Sequence, residues 1–205
     1  MIRMTKIKLC GLRGPADIEA VNELQPDCIG FVFWEKSRRS VTPETALKLK
    51  GMLDQEIKAV GVFVDEQPEK IAELVKNGII DIIQLHGSED EAYIRRLRAL
   101  TDVAVIKAFR IRSAEDVKAA AGSSADYIML DSGKGTGMRF NWSLIGAIRR
   151  LYFLAGGLDA ENVSEAIRYL HPYAVDVSSG IETDGVKDRN KMAAFVSAVR
   201  KEERR

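Results

Sequence analysis

The sequence predicts a single-domain (β/α)8 barrel, an α/β fold, over residues 1–205. Eight short apolar runs recur along the chain, and a segment of helical composition follows each of them. Most of these runs are nearly continuous in Val, Ile, Leu and Phe, which is typical of parallel strands covered by helices on the outer face. An open doubly wound sheet is the alternative, but no GxGxxG turn follows the first run, and eight regular units favour closure.

Turn and capping residues bound the predicted elements. Thr42 before Pro43 is typical of a helix start, and Asn77-Gly78 is typical of a helix end. Ser88 precedes a segment that has acidic residues first and arginines later, in step with the helix dipole. The strands are expected over residues 6–10, 28–33, 58–64, 81–86, 103–109, 126–131, 151–155 and 173–179. The helices are expected over residues 15–24, 43–53, 68–78, 89–100, 113–122, 141–150, 159–170 and 190–199, and residues 201–205 are expected to fray.

Composition limits the classes of partner. Hydrophobic residues make up 46% of the chain, charged residues make up 30%, and the formal net charge is +1. This near-neutral charge predicts no nucleic-acid partner and no membrane partner, and no apolar run reaches the ~18 residues that a membrane span needs. The first residues lack the apolar stretch of a secretory signal. Cys10 and Cys28 form neither a disulfide framework nor a metal-binding pattern, so we expect a reducing, cytoplasmic setting.

The carboxyl ends of several predicted strands carry polar residues, and barrels of this kind place their active sites there. Cys10, His86 and Asp131 end the first, fourth and sixth strands. Cys10 is either one more small buried residue or a reactive thiol at the rim of a pocket. The glycine that follows it favours a partly exposed, reactive sulfur. His86 is expected to line the site because it lies near the rim.

Side-chain alternation predicts a polar barrel interior on three strands. The polar residues that share a face are Lys8 with Cys10, Gln84 with His86, and Asp176 with Ser178. Polar groups inside a barrel are costly without partners. They therefore either form a satisfied polar core, with Lys8 paired to Asp176, or orient and tune a site. Both interpretations stay open for Lys8, Gln84 and Asp176.

Two glycine-rich turns follow the seventh and eighth strands, where such barrels often bind phosphate through backbone N–H groups. Gly156 and Gly157 form the first turn, and Ser178, Ser179 and Gly180 form the second. Glycine lets the backbone approach a ligand closely. The pair of turns therefore predicts a phosphate site.

Two further loops are candidate substrate contacts. The segment 131–142 contains Gly135 and Gly137, and it is either a loop that closes over the substrate or an ordinary flexible connection. The segment 34–41 carries Lys36, Arg38 and Arg39. One of these arginines either clamps an anionic group with two hydrogen bonds or lies in solvent.

Ordered motifs along most of the chain resemble the phosphoribosylanthranilate isomerase family of tryptophan biosynthesis. They run in the family's order from Lys8 to Glu182 and include KLCGL, IGFVF, KSRRSV, VGVFV, IQLHG, MLDS, GTG with FNW, LAGGL with ENV, and AVDVSSGIE. The resemblance implies an aldose–ketose isomerase with a small phosphorylated substrate and with no metal or cofactor. The implied reaction is the Amadori rearrangement of N-(5-phosphoribosyl)anthranilate to 1-(2-carboxyphenylamino)-1-deoxyribulose 5-phosphate.

The resemblance also implies roles for individual residues. Cys10 matches the family's general base, Asp131 its general acid, and Arg39 its anthranilate-binding arginine. The two glycine turns match its phosphate loops. We further expect the substrate to contact Gln84, His86, Gly135 and Gly137.

The sequence departs from the family at three places. Ala155 stands where serine is common, Asn141 stands where aspartate is usual, and the turn over residues 11–17 lacks the usual threonine. The related isomerase of histidine biosynthesis is a competing assignment, but it has an aspartate at the position of Cys10. A catalytically silent phosphate-binding barrel is a further alternative. The sequence leaves both a monomer and a homodimer open.

Overall fold

Eight parallel strands form a closed barrel in this computed structural model, which describes residues 4–131, 145 and 148–202. Each strand pairs with the next along the chain, and pairing of the first strand with the eighth closes the ring. The predicted (β/α)8 fold is therefore confirmed. The strands are β1 (Lys6–Cys10), β2 (Cys28–Val32), β3 (Lys58–Phe63), β4 (Ile82–Leu85), β5 (Val105–Arg110), β6 (Tyr127–Asp131), β7 (Tyr152–Ala155) and β8 (Ala174–Val177), with a separate hairpin of β9 (Glu182–Thr183) and β10 (Val186–Lys187).

Helices cover the outside of the barrel and lie close to the predicted positions. They are α1 (Pro15–Leu24), α2 (Pro43–Met52), α3 (Pro68–Lys76), α4 (Glu91–Arg98), α5 (Ala114–Ala121), α6 (Val163–Leu170) and α7 (Arg189–Glu202). The predicted helix over 141–150 falls largely outside the described residues. Within the described part of the chain, no helix has the length and apolar character needed to cross a membrane.

Two predicted helix ends follow their expected capping chemistry. The Thr42 side chain accepts a hydrogen bond from the backbone N–H of Thr45, 3.2 Å away, and so caps α2. Asn77 caps the end of α3, and Gly78 after it has a φ of +68°, a left-handed conformation that glycine adopts without strain. These local signals therefore place both ends correctly.

Two other expected ends are wrong. Asp90 rather than Ser88 caps α4, because its carboxylate accepts from the backbone N–H of Tyr93 at 2.8 Å. Ser88 instead donates to the Asp65 carboxylate through its N–H and hydroxyl groups. The last helix continues to Glu202, so residues 201 and 202 do not fray from it.

Strand alternation divides the core into two layers. Outward-facing side chains pack beneath the helices, and they include Ile7, Leu9, Ile83, Leu85, Val175 and Val177. Inward-facing apolar side chains fill the barrel and include Cys28, Val60, Ile106, Met129 and Phe153. Tyr127 and Tyr173 stack beside Phe153 at the amino-terminal end of the strands. Polar side chains inside the barrel lie toward the opposite, carboxyl end.

Candidate active site

Cys10 ends β1 at the carboxyl mouth of the barrel, next to a buried ion pair. Lys8 Nζ lies 2.8 Å from Asp176 Oδ1, and the Lys8 side chain is fully buried. The two residues face each other because β1 pairs with β8 in this register. Burial alone would lower the pKa of Lys8, but the Asp176 carboxylate and the Cys10 side chain hold it above its ordinary value. The predicted pairing of Lys8 with Asp176 is thus confirmed.

Gly30 of β2 provides the space in which the Cys10 thiol and the Lys8 ammonium group lie. A Cβ atom at position 30 would lie 2.6 Å from Cys10 Sγ and 3.2 Å from Lys8 Nζ. Any larger residue would therefore displace the sulfur. The sulfur and the ammonium nitrogen share one small space above this glycine.

Cys10 is more deeply buried than the sequence predicts. Only 7% of the residue is exposed, so the expectation of a partly exposed sulfur is wrong. Burial raises the pKa of the Cys10 thiol, and Lys8 opposes this shift without cancelling it. Burial thus disfavours the thiolate, and the nearby cations Lys8 and Lys187 favour it.

Arg39 follows β2 and faces a carboxylate. Its Nε and Nη2 atoms lie 2.5 and 2.7 Å from the two oxygens of Glu182, a fork of two charge-assisted hydrogen bonds. Lys187 Nζ lies 2.9 Å from the same carboxylate, and Arg38 Nη2 lies 3.2 Å from it. Burial would raise the pKa of Glu182, but hydrogen bonds from Arg39 and Lys187 lower it to about 2. Lys36, the third cation of this loop, is exposed.

The β9–β10 hairpin carries both Glu182 and Lys187 to the mouth. Arg13, in the turn after β1, donates to the carbonyl oxygens of Arg38 at 2.8 Å and of Gly185 at 3.1 Å. The loops after β1, β2 and β8 are therefore joined around one buried carboxylate. Three of the groups that surround this carboxylate are cations, so the unit carries a surplus of positive charge that suits an anionic ligand.

The acid side of the mouth lies on β4 and β6. Asp131 ends β6, and His86 Nε2 lies 3.4 Å from its Oδ2 atom. Gln84 lies beneath His86, with only 1% of the residue exposed. Its Nε2 atom lies 3.0 Å from His86 Nδ1 and donates to Met129 Sδ at 3.3 Å. His86 therefore reaches the mouth, as predicted, whereas Gln84 lies under it.

Buried charges hold the turn that follows His86. Lys107 and Glu89 form an ion pair at 2.7 Å, and their side chains are 7% and 0% exposed. Glu89 accepts from the backbone N–H groups of Gly87 at 2.9 Å and Asp65 at 2.8 Å. Lys107 donates to the Gly87 carbonyl oxygen at 2.7 Å. His86 consequently projects from a backbone segment that is fixed on both sides.

The two glycine turns after β7 and β8 lie against each other. Gly156 and Gly157 have φ angles of +94° and +65°, in the region that favours glycine. A Cβ atom on Gly180 would overlap the carbonyl oxygen of Leu158, so the turns touch there. Ser179 and Gly180 begin a short 3-10 helix, and the first N–H groups of a helix have no acceptor within it. These donors suit a phosphate group, although phosphate binding itself stays a prediction.

The second glycine turn also adjoins a buried cation. Lys187 Nζ lies 2.9 Å from the Ser178 carbonyl oxygen and 3.4 Å from its hydroxyl oxygen. Ala155, which replaces the family's serine, ends β7 and packs in the inner core. Gly135 and Gly137, expected to contact the substrate, and Asn141 lie outside the described residues.

Sequence reasoning missed two pairs of charges. Glu182 and Lys187 do not end a predicted strand of the barrel, so the sequence analysis does not predict them as site residues. The Asp184-Gly185 pair midway between them is a typical hairpin turn and was the available signal. Glu89 and Lys107 lay inside a predicted helix and a predicted strand, where single charges are usually exposed. Over the described residues, no cluster of His, Cys, Asp and Glu side chains is arranged to hold a metal ion.

Comparisons with known proteins agree on one family. The family model described as N-(5'phosphoribosyl)anthranilate (PRA) isomerase matches residues 7–198. A protein of Endomicrobium trichonymphae named N-(5'-phosphoribosyl)anthranilate isomerase is 42% identical over 202 residues, which cover 96% of this chain and 99% of that protein.

Two solved structures of the same family match almost the whole chain. The crystal structure of phosphoribosyl anthranilate isomerase from Thermotoga maritima matches with a TM-score of 0.90 and 36% identity, over 97% of this chain and 100% of that one. A phosphoribosyl anthranilate isomerase in complex with reduced 1-(o-carboxyphenylamino)-1-deoxyribulose 5-phosphate matches with a TM-score of 0.87 and 35% identity, at the same coverage.

Proposed function

The chain belongs to the N-(5'-phosphoribosyl)anthranilate isomerase family, and we propose that Cys10 is its general base and Asp131 its general acid. It is an aldose–ketose isomerase of tryptophan biosynthesis. One observation carries the residue assignment: Cys10 and Asp131 end β1 and β6, at the same mouth of the barrel. The substrate is N-(5-phosphoribosyl)anthranilate, and the product is 1-(2-carboxyphenylamino)-1-deoxyribulose 5-phosphate.

The first step opens the ribose ring. Asp131 gives its proton to the ring oxygen while the bond between that oxygen and C1 breaks. The lone pair of the anthranilate nitrogen forms the C1=N bond, which leaves a protonated Schiff base and an aspartate anion. A carboxylic acid suits this role because the ring oxygen needs a proton as it leaves.

The second step moves a proton from carbon. The Cys10 thiolate takes the proton on C2, the C–H electron pair forms the C1=C2 bond, and the C=N π electrons return to nitrogen. The resulting enolamine tautomerises to the ketone. Lys8 lies over Gly30 with the sulfur, and together with Lys187 it offsets part of the cost of forming a buried thiolate.

Arg39 holds the anthranilate carboxylate in this proposal. Glu182 occupies only the Nε and Nη2 side of the guanidinium group. An arginine has five N–H donors, and within the described residues the donors on its other edge are left for a second carboxylate. Glu182 thus fixes the plane of Arg39 before the substrate arrives, and the surplus positive charge of Arg38 and Lys187 compensates a second anion.

The phosphate group binds at the paired glycine turns. The backbone N–H groups of Gly157, Ser179 and Gly180 supply donors, and Lys187 supplies a nearby cation. Gly156 lets the chain turn away from the ligand through its positive φ. When the phosphate end of the substrate is fixed, its C1 and C2 atoms are oriented between the proposed base Cys10 and the proposed acid Asp131.

We propose that residues 1–205 work as one catalytic domain in the cytoplasm. The two cysteines are free thiols, and the base must stay reduced to act. A reducing compartment supports that requirement. Sedimentation of the purified protein distinguishes a monomer from a homodimer.

The decisive experiment follows the fluorescence of the anthranilate group during turnover without added metal. We expect the wild-type protein to convert phosphoribosylanthranilate, and Asp131→Asn to lose about 10²–10⁴ in kcat with KM largely kept. Phosphate binding without turnover by the wild type would instead indicate a silent barrel. Near-normal turnover by Asp131→Asn would remove Asp131 from the mechanism.

A further inference from the structure

We propose that His86 is a positioning residue for Asp131, and that Met129 and Gln84 select the ring tautomer in which His86 presents an Nε2–H group to the carboxylate. The inference rests on the proposed role of Asp131 as general acid and deepens it. It gives Gln84 a task that needs no contact with substrate, in agreement with its place beneath the mouth.

The Met129 sulfur sets the orientation of the Gln84 amide. The NH2 group of that amide has two hydrogens, and it has two acceptors within reach, Met129 Sδ at 3.3 Å and His86 Nδ1 at 3.0 Å. A thioether sulfur accepts hydrogen bonds but has no hydrogen to donate. Reversal of the amide would place its oxygen against the sulfur, with no hydrogen between the two acceptors.

The Gln84 amide in turn sets the tautomer of the imidazole ring. A ring nitrogen that accepts a hydrogen bond carries no proton, so Nδ1 of His86 is unprotonated while Gln84 Nε2 donates to it. The proton of a neutral imidazole then resides on Nε2. Within the described residues Gln84 Oε1 accepts no hydrogen bond, so the amide is held through its NH2 group.

The Nε2–H group of His86 faces the general acid. Nε2 lies 3.4 Å from Asp131 Oδ2, a distance that a small rotation of the ring shortens when substrate fills the site. The contact restricts the rotation of the carboxyl group and stabilises the anion that remains after the proton has left. Glu89 and Lys107 hold Gly87, so the position of the ring is fixed from the backbone side as well.

Imidazole nitrogen NMR tests the tautomer directly. The chain contains two histidines, and the other is His171, an exposed residue that caps the end of α6 in a left-handed conformation. His171→Asn assigns the spectrum, since asparagine tolerates that conformation. With histidine labelled in both ring nitrogens, we expect His86 in the wild type to show one tautomer at alkaline pH, protonated at Nε2 and unprotonated at Nδ1.

Two variants remove successive hydrogen bonds between Met129, Gln84 and His86. Gln84→Met keeps the length of the side chain and removes the donor, and Met129→Leu removes the sulfur acceptor with little change in volume. We expect both to let the Nδ1–H tautomer of His86 appear, while His171 keeps its spectrum. A wild-type ring that is mixed or protonated at Nδ1, or an unchanged tautomer in both folded variants, overturns the proposal.

Turnover separates this inference from the proposed function. His86→Gln keeps an N–H donor near the position of Nε2, whereas His86→Leu has none. We expect His86→Leu to lose about 10- to 100-fold in kcat at nearly constant KM and His86→Gln to recover most of that loss, because one charge-assisted hydrogen bond is at stake. Equal losses in the two variants overturn the positioning role. Full activity of Asp131→Asn would contradict the proposed acid and leave the tautomer result to stand on its own.

Discussion

The two cysteines are buried to nearly the same extent, with exposures of 7% for Cys10, which ends β1, and 8% for Cys28, which begins β2. They lie on neighbouring strands, where Cys10 faces Gly30 and Cys28 faces Lys8 in the register. Burial raises the pKa of both thiols, and that of Cys28 reaches about 12. Depth in the barrel therefore does not separate a reactive thiol from an inert one.

The neighbours of the two thiols make the difference. Cys28 belongs to the apolar inner core, beside residues such as Val60. Cys10 shares its space with the Lys8 ammonium group and lies within the electrostatic reach of Lys187. The charge of Lys8 acts on both thiols, so the direct hydrogen bond from Lys8 and the nearby charge of Lys187 are what distinguish Cys10 from Cys28.

Serine substitutions at the two positions should give the largest contrast. Serine is slightly smaller than cysteine, and its far higher pKa makes it a poor base near neutrality. We expect Cys10→Ser to lose about 10²–10⁴ in kcat, or about 3–5 kcal/mol of barrier, with folding intact. Cys28→Ser should keep nearly full turnover. Normal turnover by Cys10→Ser in the fluorescence assay would show that the thiol is not the base.

Removal of the cation below Cys10 should affect both stability and activity. Lys8→Met leaves the Asp176 carboxylate buried without its partner, so we expect a loss of about 3–5 kcal/mol in the free energy of unfolding, measured in urea. The double variant Lys8→Met/Asp176→Leu should recover most of this stability but little turnover. If the double variant turned over normally, Lys8 would have only a structural role.

A methyl group at position 30 should disturb the base without removing it. Gly30→Ala places a Cβ atom 2.6 Å from the present position of Cys10 Sγ. The sulfur must move, and we expect a loss on the order of 10- to 100-fold in kcat. Gly51→Ala in α2 is the matched control, because no atom lies within 4 Å of its added Cβ. Equal activity of the two variants would contradict the shared space above Gly30.

Alkylation should give the smallest but most direct contrast. The thiolate is the reactive form, and the pKa of Cys10 is raised, so we expect slow labelling by iodoacetamide at pH 7 and faster labelling as the pH rises. Loss of activity should follow the labelling of Cys10, and a product analogue should slow it. Mass spectrometry locates the label. Inactivation that follows labelling of Cys28 would reverse the assignment.

The sequence was sufficient to predict contacts that follow from the regular alternation of side chains along strands. Alternation along β1 and β8 places Lys8 and Asp176 on the same inner face, and parallel pairing of those strands brings them together. The depth of Cys10 had no such signal, because it depends on residues distant in the sequence, such as Arg39, whose side chain lies against Gly11. The fork between Arg39 and Glu182 joins residues 143 positions apart, and it depends on a hairpin that strand periodicity does not describe.

The contact between Gly180 and the Leu158 carbonyl oxygen has a consequence for how such a barrel can diversify. Barrels acquire new chemistry when single loops are exchanged on a constant scaffold. Here the segments after β7 and β8 interlock at a point where any side chain would collide, so they behave as one cassette. Arg13, which bonds to Arg38 and Gly185, makes the segments after β1, β2 and β8 a second cassette that overlaps the first. A graft that replaces only the segment after β8 would break both, and the segments after β3 and β4 are likewise joined to each other, through Asp65 and Ser88.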